Sequence, residues 1–155
     1  MSTIEPYVTR DMLTAASAEK VADVVRRMHE AEVGAVVLVD GNTLAGLFTE
    51  RDLLVRVVAE GLDPTATAVG DVATREVISV ALDSPIKICA QLISDNHVRH
   101  LPVTDGDKPV GIVSARDFFD RVASRLEDLV ERVRYDEQLR ENLDPYDHLG
   151  GSYGR

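Results

Sequence analysis

"GLFTERD", Gly46–Asp52, and "GIVSARD", Gly111–Asp117, follow one pattern: a glycine, two apolar residues, a hydroxyl residue, then a closing Arg-Asp pair. Working outward, a shift of 65 residues aligns Thr9–Val57 with Thr74–Val122 without a gap. Eleven of the 49 aligned positions are identical, among them Asp40-Gly41 with Asp105-Gly106. Most other pairs keep their apolar or polar character. A chance heptapeptide carries no such register, so the chain reads as two copies of one supersecondary unit.

Each copy reads β-α-β-β-α. A first strand is expected near Met12–Ala15 and again near Val77–Ala81. Val21, Val24, Val25 and Met28 fall at helical spacing, as do Ile86, Cys89, Ala90 and Ile93. Ser84-Pro85 predicts a capping residue and a first-turn proline for the second copy's helix. Ala35–Val39 and Leu44–Phe48 flank "DGN", and His100–Thr104 and Pro109–Val113 flank "DGDK". Asp-Gly between apolar runs is a hairpin signal. A closing helix follows, from Glu50 to about Ala59 and from Ala115 onward.

The expected fold is α+β, with two repeats packed as a pseudo-two-fold pair because a unit of about 50 residues buries too little apolar surface alone. The boundaries read as 1–60 for the first repeat, 61–68 for a Gly/Pro/Thr linker and 69–123 for the second repeat. Residues 124–143 read as a helical extension, where Phe119, Val122, Leu126, Leu129 and Val133 continue a 3-4 apolar stripe. That stripe predicts either packing back on the chain's own domain or a seam with a partner. The polar, glycine-rich stretch 144–155 reads as a disordered tail.

The net charge is −10, which argues against a nucleic-acid coat or an anionic membrane surface. The one cysteine, Cys89, rules out an intrachain disulfide and points to a reducing cytoplasm. No signal peptide or membrane span is expected. Cys89, His29, His97 and His100 match no familiar zinc spacing, so no metal is expected. No G-x-S-x-G, H-E-x-x-H or nucleophile–base pair is present, so catalysis is not expected; a nucleotide hydrolase is a third and weakly supported reading.

Two readings of the duplicated phrase stand side by side. Thr49-x-x-Asp52 and Ser114-x-x-Asp117 fit a capping box. A cap needs neither Arg51 and Arg116 nor Gly46 and Gly111, however. A strand glycine lets a ligand or another backbone approach closely. With hydroxyls for phosphate and carboxylates for ribose, the turns also make a nucleotide cradle.

Over residues 8–123 the chain resembles a tandem pair of CBS domains, a Bateman module, whose pattern is Gly-h-Ser/Thr-x-x-Asp after the third strand. Val98–Asp105, "VRHLPVTD", resembles the family's second strand. The resemblance implies adenosine-containing ligands (AMP, ADP, ATP or S-adenosylmethionine) in clefts between the repeats. It makes Asp52 and Asp117 ribose partners and Thr49 and Ser114 phosphate contacts, with Arg51 and Arg116 beside them. Adenine slots would be walled by Met12–Thr14 with Gly34–Val36, including Ala35, and by Val77–Val80, including Ile78, with Arg99–Leu101.

Arg99-His100 aligns with Gly34-Ala35, so the two sites are expected to differ. The site of Asp117 would favour phosphorylated ligands, and Arg99 also reads as an ordinary exposed charge at a strand start. The preferred function is a stand-alone, non-enzymatic sensor with no cofactor. It would be regulated by an adenine nucleotide, homodimeric through the repeats and the C-terminal helix, and coupled to a separate regulated protein. The alternative is a ligand-free interaction module whose Thr/Ser-x-x-Asp phrases are caps only.

Overall fold

The structure, a computed structural model, describes residues 2–142. The chain divides into two units, Met1–Asp117 and Phe118–Arg155. The first holds both sheets. In order it contains β1 (Thr14–Ala15), α1 (Val21–Ala31), β2 (Ala35–Asp40), β3 (Thr43–Thr49) and α2 (Glu50–Asp52). α2 runs on as a π-helical turn, Leu53–Val58. Then come α3 (Val69–Val72), β4 (Val80–Ala81), α4 (Ile86–Asn96), β5 (His100–Asp105), β6 (Lys108–Ser114) and the start of α5 (Ala115–Asn142).

The two sheets share one design. β1 lies parallel to β2 and β2 antiparallel to β3; β4, β5 and β6 repeat this order. Each hairpin closes over two residues, with a glycine of positive φ first: Gly41 at +66° and Gly106 at +61°. Glycine enters that left-handed conformation without the backbone strain that a residue with a Cβ carries there. Both hairpins shift register at the same place, between Leu38 and Val39 and between Val103 and Thr104. The opening strands are shorter than the sequence predicts: Met12 and Val77 lie outside β1 and β4, in the chain that leads into them.

The core is mainly aliphatic, with Phe48 and Tyr7 among its buried aromatics. Val21, Val24 and Met28 bury one face of α1 against Val36, Leu38 and Phe48 of the sheet. Cys89 and Ile93 are the buried residues of α4. Ser84 is not the cap of α4. Pro85 takes that position, and the Ile86 N–H donates instead to Ser2 O at 3.1 Å. The start of α1 is handled alike: Val21 N–H donates to Thr67 O and Ala22 N–H to Pro64 O. Carbonyls of a distant segment satisfy donors that a helix leaves open at its start.

Ser2 and Thr67 are 65 residues apart, so the repeat begins earlier than the identities indicate. Ile4 N–H donates to Ser84 O, as Val69 N–H does to Glu19 O. Thr9 bridges Ile112 of β6, and Thr74 bridges Leu47 of β3. Each repeat's leading segment therefore lies on the other repeat, and residues 61–68 are a tied segment, not a slack linker. Val69, Val72 and Ala73 complete the first repeat's core.

That exchange explains two glycines. A Cβ on Gly46 would stand 2.9 Å from Thr74 O; one on Gly111 would stand 2.8 Å from Thr9 O and collide with Val8 Cγ1. What approaches each glycine is the other copy's backbone.

The second unit contains α5 beyond Asp117, and residues 143–155, which include the expected tail at 144–155, lie outside the described residues. Of the expected stripe, Phe119, Leu126, Leu129 and Val133 are exposed and Val122 is half-buried. Among the described residues no helix is long and apolar enough to cross a membrane.

Candidate functional site

The exchange of leading segments opens a cleft of about 300 Å³ within the first unit. Its walls come from both repeats. Leu47 at the end of β3, with Thr49, Glu50 and Arg51 at the following turn, forms one side. Thr74, Glu76, Val77 and Ile78 cross it, and His97–His100, leading into β5, form the other side.

Each wall is held from behind. The Thr74 N–H and O both pair with Leu47, each at 2.9 Å. Next along, Arg75 Nη1 donates to Ser17 Oγ at 2.7 Å, and Ser17 donates through N and Oγ to the Asp40 carboxylate. These bonds hold the Asp40 carboxyl below its ordinary pKa, Ser17 contributing most. Thr74–Ile78 is thus anchored at one end while its following residues face the cleft. On the other side the Arg99 carbonyl accepts from Ala115 N–H at 2.8 Å, just as the Gly34 carbonyl accepts from Glu50 N–H at 3.0 Å.

The turn after β3 is a capping box. Thr49 Oγ1 accepts from Asp52 N–H, and Asp52 Oδ2 accepts from Thr49 N–H at 2.9 Å and from Thr49 Oγ1 at 3.1 Å. Asp52 Oδ1 lies 3.6 Å from Arg56 Nε. Asp52 is largely enclosed, its side chain 13% exposed.

Of the residues that the sequence singles out, Thr49, Arg51, Ile78, Arg99 and His100 come together in this cleft. Asp52 is held in the cap behind it. Ser114, Arg116 and Asp117 follow one another across the end of β6 and the start of α5, with Ser114 paired to His100 across the sheet. Arg99 and His100 thus line a cleft with the Thr49 turn, where the sequence reading assigns them to the site of Asp117. Met12 is half-buried ahead of β1. Ala35 and Leu101 are buried within β2 and β5, so their side chains belong to the core and do not line this cleft.

Sequence reasoning missed Glu50, Glu76 and His97 as cleft residues. The repeat alignment carries no sign of them, because Glu50 aligns with Ala115 and His97 with Glu32. His97 sits in the left-handed region at φ 52°, ending α4, and Glu32 ends α1 the same way at φ 54°.

The cleft's charge is mixed. Arg51 and Arg99 supply guanidinium groups, Glu50 and Glu76 carboxylates. Burial pushes the His100 pKa below its ordinary 6.5, and Arg99 adds to this, while Glu50 and Asp117 pull the other way. His100 is therefore a neutral ring at pH 7 and a donor or acceptor more than a cation. Apolar walls (Leu47, Val77, Ile78 and Val98) with a few convergent polar groups are the usual make-up of a small-molecule site. Cys89 is fully buried, its thiol pushed up to about 11 by desolvation, and no cluster of three metal-ligating side chains occurs among the described residues.

The model of the CBS domain matches the chain twice, over residues 4–59 and 69–124. An uncharacterized protein of Methanopyrus kandleri is 33% identical over 110 residues, 70% of this chain and 56% of that one. A mitochondrial CBS domain-containing protein of Arabidopsis thaliana, CBSX3, is 33% identical over 120 residues, 74% of this chain and 58% of its own. The chain thus spans little more than half the length of these relatives. Among solved structures, a Burkholderia ambifaria protein with CBS domains, assigned to signal transduction, superposes with a TM-score of 0.73 at 31% identity, covering 79% of this chain and 95% of that one. Both repeats match the same model and both fold the same way: the chain belongs to the CBS-domain family, as a tandem pair.

Proposed function

We propose that the chain is a non-enzymatic regulatory sensor. It binds an adenosine-containing ligand, an adenine nucleotide or S-adenosylmethionine, in the cleft and passes the occupied state to a separate protein. The observation that carries this reading is the lining itself. Leu47, Val77, Ile78 and Val98 offer apolar faces to a purine, and Arg51 and Arg99 offer charged donors to an anionic group. A ligand there touches the turn of one repeat and two segments of the other, so it favours whichever arrangement of those segments fits it best. That difference in affinity is what lets a ligand shift a conformational equilibrium. The Asp117 turn would serve a second, unequal site.

Calorimetry and thermal shift with AMP, ADP, ATP and S-adenosylmethionine test the reading. At least one should raise the melting temperature. Arg99→Ala should weaken a phosphorylated ligand by about tenfold, the loss of one charge-assisted contact. Flat curves with all four would overturn the proposal. They would favour a ligand-free interaction module, a reading with its own support: the Asp52 carboxylate is already taken up by Thr49 and Arg56.

A further inference from the structure

Gly34 and Glu50 meet at one backbone bond, and Arg99 and Ala115 meet at the aligned bond of the other copy, at 3.0 Å and 2.8 Å. The side chains at these two contacts are unlike. In the first copy a glycine stands beside a carboxylate; in the second an arginine stands beside a methyl group. A Cβ on Gly34 would lie 3.3 Å from Glu50 Cδ and 3.4 Å from both carboxylate oxygens, so the glycine leaves the seat that the carboxylate takes. Glu50 and Arg99 line the same cleft. The field of Glu50 also reaches His100 of the other repeat, where it opposes burial and Arg99.

Two guanidinium groups line the cleft, from Arg51 and Arg99, and two carboxylates, from Glu50 and Glu76. Among the described residues none of these four side chains takes part in a hydrogen bond or an ion pair, so their charges are left for a ligand to meet. The formal charges cancel. One anionic group can pair with the guanidiniums. Each further phosphate adds about one negative charge at neutral pH and meets carboxylates that no protein cation neutralises. Of the two carboxylates, Glu50 is the one with a seat built for it. We propose that Glu50 is the specificity-determining residue of the cleft, a charge filter that favours an adenosine ligand with one anionic group over a di- or triphosphate. This rests on the adenosine-binding reading above and deepens it.

The test is calorimetry on the full chain with adenosine, AMP, ADP and ATP, in EDTA so that no divalent cation masks the phosphates. Wild type should bind AMP best and ATP about tenfold more weakly, the scale of one unit-charge repulsion across a partly wet cleft. Glu50→Gln keeps the side chain's size and removes its charge. It should raise the affinity for ATP relative to adenosine by about tenfold, and less so as salt is added. Glu50→Asp keeps the charge and should keep the wild-type order. A second readout needs no ligand: the His100 ring, titrated by NMR, should have a lower pKa in Glu50→Gln than in wild type. ATP bound more tightly than AMP by wild type, a ratio that Glu50→Gln leaves unchanged or that Glu50→Asp shifts equally, or an unmoved His100 titration would each overturn the filter and leave the sensor reading standing. No binding of any of the four to wild type or variants would overturn the sensor reading, and the filter with it.

Discussion

Gly46 and Gly111 show how one atom decides whether two backbones meet. Thr74 and Thr9 pass so close that a methyl group forces the crossing chain to move. Gly46→Ala and Gly111→Ala should each lower stability by about 1–3 kcal/mol, the range for overpacking at a site that cannot yield. Urea denaturation followed by circular dichroism checks this. Glu32 is the opposite case. It is exposed and holds a left-handed conformation that costs residues with a Cβ about 1–2 kcal/mol. Glu32→Gly should raise stability by about 0.5 kcal/mol, since glycine's freedom in the unfolded chain offsets part of the relief. A melt unchanged or lowered by this substitution would show that the Glu32 side chain contributes something its exposure does not reveal.

Helices in this chain begin in two ways. α2 caps itself through Thr49 and Asp52, whereas α1 and α4 borrow carbonyls from segments distant in sequence. Thr49→Ala removes the hydroxyl that accepts from Asp52 N–H and should cost about 1 kcal/mol. Asp52→Ala should cost a similar amount in the absence of any ligand, because the carboxylate also accepts from the Thr49 backbone. A ribose contact would instead leave the ligand-free melt unchanged and reduce affinity, so the pair of measurements separates cap from ligand. The π-helical turn after α2 has no mark in the sequence. Its spacing, with Ala59 N–H donating to Leu54 O, differs by one residue from the helical repeat that Leu53–Val58 otherwise satisfies.

Across the molecule, acidification should weaken the fold near His100. Its folded pKa lies below the 6.5 of an open chain, so the unfolded chain takes up the proton first. Stability is then full above pH 6.5 and falls as pH drops through 6.5 toward the depressed folded value. Thermal melts between pH 7.5 and 5.5 should show this decline, and His100→Gln should flatten it. A bound phosphate beside the ring would favour its protonated form, so an anionic ligand should bind more tightly as pH falls over the same window.

The sequence by itself determined the duplicated unit, the order of its strands and helices, both hairpin turns and the cap at Thr49. All of these are local: periodicity, turn chemistry and a hydroxyl three residues from an acid act within a few residues of one another. It also placed Thr49, Arg51, Ile78, Arg99 and His100 on a shortlist. Only the tertiary structure decided which of them face one another. The leading segments 2–9 and 67–74 cross between copies, and a repeat compared with itself cannot report which copy supplies a wall. For the same reason Gly46 and Gly111 looked equally suited to a ligand or to a neighbouring chain. The backbone that approaches them comes from Thr74 and Thr9, brought there by packing between segments far apart in sequence.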